Sequence, residues 1–146
     1  MDNELPRGIR LNNPGNIDRT EIAWLGESTM QDDPRFIRFN EPVFGLRALM
    51  KILYNYQEKD DIEHLRGMIN RWAPPNENQT NAYLNDVCAR CSASPDESYD
   101  VSNKYNLMNL AKAIVHHENG APPAGRAPDW YPQDIYNQAA AMVLLP

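Results

Sequence analysis

The sequence has no long apolar run: no window approaches eighteen consecutive apolar residues, which excludes a membrane-spanning helix. Its opening residues, MDNELPRGIR, contain no apolar signal segment, so synthesis in the cytoplasm without a general export signal is expected. Basic clusters are also missing. The 14 Lys and Arg are scattered among 20 Asp and Glu, for a net charge of -6. Nucleic acid needs a basic face, so it is not expected as the main partner, whereas a neutral glycan or a substrate carrying positive groups remains compatible. Cysteine is scarce, with Cys88 and Cys91 forming a single C-x-x-C. Zinc takes four ligands, and His64, His116 and His117 would have to complete a site through tertiary contacts. The sequence contains no H-E-x-x-H, G-x-S-x-G or P-loop pattern, and no internal repeat or low-complexity tail.

What is present is enough apolar material, 42% of 146 residues, for one core, and residues 1–146 read as a single domain. Residues 1–43 show little helical period. Asn12-Asn13-Pro14-Gly15-Asn16 is a turn cluster, and Phe36 to Phe39 fits a short strand closed by Asn40-Glu41-Pro42. The period then changes. Leu46, Leu49, Met50 and Leu53 share one helical face, and Ile62, Leu65, Ile69 and Trp72 mark a second helix stopped by Pro74-Pro75. Leu84, Val87, Cys88 and Cys91 form a third stripe. Leu107, Leu110, Ala111, Ile114 and Val115 form a fourth that ends at Gly120, and Ile135, Ala139, Met142 and Val143 form a last one. The fold expected is mainly α, with a small irregular or slightly β lobe in front.

Glu118 continues the fourth stripe. It lies eleven residues after Leu107, which puts the two within about 20° around a helix. A carboxylate is thereby placed on an apolar face at a helix C-terminus. Burial and the negative end of the helix dipole both disfavour its charged form, as a general acid requires. The plain alternative is a frayed end with Glu118 turned to water. Both cysteines lie on an apolar stripe and read as small reduced core residues rather than metal ligands. Among the aromatics, Trp72 reads as core and Trp24, beside Gly26, as the better cleft residue.

Several segments taken together carry a resemblance. Arg7 to Arg10, Asn13-Pro14-Gly15-Asn16-Ile17, Trp24-Leu25-Gly26, Phe36 to Phe39 and Gly45 to Ala48 are similar to the opening of a family of phage virion-associated and prophage-encoded proteins. The likeness continues through Trp72 to Thr80, Tyr83, and Ala113 to Gly120. Members are described as phage structural proteins or peptidoglycan hydrolases, and related domains occur in toxins delivered between bacteria. Ala113 to Gly120 also resembles the glutamate helix of lysozyme-like lytic transglycosylases, with Asn119 where serine is usual. Pro75 to Val87 resembles the block that lines their glycan groove.

That block precedes the glutamate helix here, which implies a circularly permuted lysozyme-like domain. The resemblance implies Glu118 as catalytic acid, with Glu77 and Glu4 in reserve. It also implies Glu77, Thr80 and Tyr83 along the groove, with Asn13 and Asn16 on its far wall. Asp32 or Asp33 would position water in a hydrolase. The implied substrate is the bond between N-acetylmuramic acid and N-acetylglucosamine, cut without metal or cofactor. A peptidoglycan-binding virion module that does not cut is the alternative reading. On either reading, the protein would reach the periplasmic wall through a virion, a lysis system or a secretion apparatus.

Overall fold

The computed structural model describes residues 5–73, 76–123 and 128–145. It is mainly α, with helices α1 (Arg7–Arg10), α2 (Pro42–Glu58), α3 (Leu65–Trp72), α4 (Glu77–Cys91), α5 (Lys104–Asn119) and α6 (Gln133–Leu144). Local signals start several of these helices. Pro42 opens α2 at a position whose amide needs no helical partner. The side chains of Asn76 and Asn103 accept from Gln79 N and Asn106 N to cap α4 and α5. Gly120 ends α5 at φ 75°, a backbone conformation that L side chains rarely adopt.

The apolar stripes form the core. Leu46, Leu49, Met50 and Leu53 of α2 are fully buried, as are Leu107, Leu110, Ala111, Ile114 and Val115 of α5. α2 pairs most extensively with α6, and α5 touches α1, α2, α4 and α6. α3 packs on α4. None of the helices among the described residues is long and apolar enough to cross a membrane.

The front lobe, residues 5–41, departs from expectation in two ways. Arg7–Arg10 forms a helical turn that no period announced. In place of a strand over Phe36 to Phe39 there are isolated antiparallel bridges, Asp18 to Phe36 and Glu27 to Phe39. The lobe is held instead by side-chain amides that pair with backbone. Asn13 is fully buried; its Nδ2 donates to Ile17 O (3.0 Å) and Ile37 O (2.8 Å), and its Oδ1 accepts from Ile17 N. Asn12 Nδ2 donates to Phe39 O, and Gln31 spans Ser28 and Arg38 in the same manner. Asn12 and Asn16 adopt φ 56° and 53°, a region that asparagine tolerates better than most residues.

The cysteines are free, as expected, but only partly buried, both packed against the edge of the core. Burial pushes the Cys91 thiol up to about 11 and raises Cys88 as well. The Pro74-Pro75 stop lies outside the described residues.

Candidate functional site

The end of α5 is joined to the front lobe by two asparagines. Asn119 Nδ2 donates to Pro14 O (2.7 Å) and to Val115 O (2.9 Å). Asn16 Nδ2 donates to Glu118 Oε1 (2.8 Å) across 102 positions of sequence. Gly8 permits this approach, since a Cβ there would lie 2.3 Å from Asn16 Oδ1 and 3.0 Å from Asn119 Oδ1. Any side chain at position 8 would therefore displace the amide that holds Glu118.

The other carboxylate oxygen is held from α4. Tyr83 OH donates to Glu118 Oε2 (2.8 Å) and accepts from Trp72 Nε1 (3.0 Å). Burial drives the Tyr83 phenol far above its ordinary range, and the charge and hydrogen bond of Glu118 add to this. Tyr83 thus stays protonated and acts as a fixed donor at any working pH. Its ring stacks on His117, with centroids 3.7 Å apart and planes tilted by 32°. His117 Nδ1 meets Asp86 Oδ2 at 2.9 Å, and Asp86 Oδ1 accepts from Arg90 Nε at 3.0 Å.

Glu118 lines two cavities. One, of about 420 Å³, is walled by Asn16, Asp18, Arg35, Phe36, Tyr56 and Trp72, among others. The other, of about 370 Å³, is lined by Gln79, Ala82, Tyr83, His117 and Glu118. Phe36 is held between two guanidinium groups, Arg7 at 4.4 Å and Arg35 at 5.0 Å from the ring centre. Arg35 is itself paired to Asp18 at 2.7 Å. The larger cavity thus combines aromatic walls with two carboxylates, Asp18 and Glu118.

The expected residues divide. Glu118, Asn16 and Tyr83 come together, and Thr80 is buried in the first turn of α4. Asn13 is a correction: with no exposed surface and its amide committed to backbone, it builds the lobe and cannot touch a ligand. Trp24 and Trp72 both pack against the hydrophobic core, as expected for Trp72; Trp72 also lines the larger cavity, and Trp24 lines neither of these two. Asp32 pairs with Arg38 on the surface. Asp33 is clamped by Arg7 through Nε (2.8 Å) and Nη2 (2.6 Å) and accepts from two backbone amides, which leaves it no freedom to orient water. Glu4 and the side chain of Glu77 lie outside the described residues.

Sequence reading missed Phe36, Tyr56, Arg35 and the dyad of Asp86 with His117. His116, adjacent to His117, faces a separate cavity with Arg90, Lys112 and Asp129. Among the described residues, no group of three or more His, Cys, Asp or Glu side chains is placed to hold a metal ion.

Across 124 residues, 83% of this chain and 76% of its relative, the sequence is 36% identical to Protein P5 of Pseudoalteromonas phage PM2. The chain belongs to the protein P5 family. It is thus related to a phage protein, as the resemblance implied at its coarser level. No protein-family model matches this P5-family chain.

Proposed function

We propose that this P5-family protein cuts the glycan strands of bacterial peptidoglycan between N-acetylmuramic acid and N-acetylglucosamine, with Glu118 as general acid. The observation that carries the proposal is the position of Glu118. It is a half-buried carboxylate between two cavities, oriented on one oxygen by Asn16 and on the other by Tyr83. A strand lying across both cavities brings a bridging oxygen to this carboxyl group.

Protonated Glu118 transfers its proton to the bridging oxygen as the bond to C1 lengthens and positive charge develops on the sugar ring. Tyr83 and Asn16 fix the geometry of the acid before and after the transfer. Trp72 and Tyr56 offer ring faces on one side. The resulting cation is consumed either by water or by the muramic 6-hydroxyl, which closes an anhydro ring. Neither route requires a metal or cofactor. The proposed setting is the periplasmic cell wall, reached through a virion, lysis or secretion partner, in keeping with the phage relative.

The test is digestion of purified cell wall by wild type and Glu118→Gln. The variant keeps the hydrogen-bonding shape of the side chain but has no proton to give, so turnover should fall about 10²–10⁴-fold with binding retained. Wild-type protein that binds cell wall and leaves its turbidity unchanged would make this a binding module instead.

A further inference from the structure

Glu118 does not stand alone at its cavity. We infer that His117, backed by Asp86, is the general base that takes a proton from the attacking water, so that this chain is a hydrolase. The inference rests on the glycan-cleaving reading above and assigns its second half. Three features carry it. His117 and Glu118 line the same cavity of about 370 Å³. Asp86 Oδ2 receives His117 Nδ1 at 2.9 Å, which fixes the tautomer and leaves Nε2 as the proton acceptor. Tyr83 touches both groups, its hydroxyl on Glu118 and its ring against the imidazole, so one buried side chain sets their spacing.

The acidic residues first expected to handle water are committed elsewhere, Asp32 to Arg38 and Asp33 to Arg7. The pairing of carboxylate and imidazole is of the kind by which an Asp orients a catalytic histidine, here with Asp86 half-buried and also bonded to Arg90. In the step, the water oxygen forms a bond to C1 of the muramic residue and one of its protons passes to His117 Nε2. The C1 bond to the bridging oxygen breaks, and that oxygen keeps the proton from Glu118. Asp86 stays ionised: burial opposes its charge, but His117 and Arg90 outweigh burial and hold it below the usual carboxylate range. Tyr83 and Asp86 face the imidazole from α4, with Arg90 bonded behind Asp86, and His116 and Glu118 flank it on α5.

The experiment digests peptidoglycan in ¹⁸O-labelled water with wild type, His117→Gln, Asp86→Asn and Glu118→Gln, with product ends read by mass spectrometry and kcat and KM by reducing-sugar release. Wild type should yield reducing ends carrying ¹⁸O. His117→Gln should lose about 10²-fold in kcat at nearly constant KM and lose the acidic limb of the pH–rate profile. Asp86→Asn should lose at least about tenfold, with the same limb displaced. Glu118→Gln should lose all product types. An active wild type that forms anhydro ends, or a His117→Gln protein with wild-type kcat and pH profile, would overturn the assignment while leaving Glu118 in place. Loss of melting temperature with an unchanged pH profile would reduce His117 to a structural residue. An inactive wild type would instead refute the glycan-cleaving reading itself.

Discussion

The front lobe and the helical body solve the same problem by different means. From Pro42 onward, helices bury apolar stripes, and the core residues of α2 and α5 have essentially no exposed surface. In residues 5–41, regular pairing is almost absent, and asparagine and glutamine side chains stand in for the missing strand partners. A periodic stripe defines a helix but aims no single polar group. Amide side chains in left-handed turns aim individual donors, and the lobe delivers Asn16 to Glu118 in this way. The candidate site lies at the seam, with its carboxylate, Glu118, from the body and one of its two fixing donors from the lobe.

The sharpest contrast should come from one deletion on each side. Leu110→Ala empties a fully buried position and should cost the whole fold about 2–5 kcal/mol in denaturant melts. Asn13→Ala strips partners from Ile17 N and Ile37 O, each worth about 1–3 kcal/mol when left unsatisfied in the interior, whereas Ile17 O keeps the Ile37 amide. Its damage should stay local: amide exchange in residues 11–39 should accelerate while α2 and α5 stay protected. Uniform loss of protection in Asn13→Ala would erase the distinction between the regions.

A smaller effect should follow acid. Hydrogen bonds from Arg7, then from the Phe36 and Arg35 amides, hold Asp33 well below the usual carboxylate range. A depressed folded value adds stability above the unfolded pKa of about 4, and that stability is lost as pH falls towards the folded value. Asp33→Asn should therefore melt below wild type at neutral pH, and the gap should narrow steadily below about pH 4. A gap independent of pH would mean that the Arg7 clamp does not tie the lobe together.

The smallest effect should be in the body. Cys88→Ala with Cys91→Ala should cost roughly a kcal/mol each, or less given their partial exposure, and leave activity intact. Because burial raises both thiols, labelling should be slow at neutral pH and quicken as pH climbs towards about 11 for Cys91. Fast labelling at pH 7 would show the end of α4 to be open.

The comparison also explains what the sequence revealed. The stripes of α2 and α5 were legible because burial on one helical face imposes a period, and extending that period singled out Glu118 as a candidate. The lobe was not legible, because its bonds join residues such as Asn13 and Ile37 that share no repeat. For Trp72 only half the role was legible: it packs against the core at the end of its stripe, but its indole also lines the cavity and donates to Tyr83. The partner of His117 was hidden for the same cause, since Asp86 lies 31 positions away on another helix.

The most direct test of the central claim is the product profile of purified peptidoglycan treated with wild type and with folded Glu118→Gln. Wild type should release muropeptides cut between N-acetylmuramic acid and N-acetylglucosamine, and the variant should release them about 10²–10⁴-fold more slowly while still binding the wall. Equal release by the two proteins would contradict the role given to Glu118, and intact strands with wild type would contradict the glycan-cleaving function.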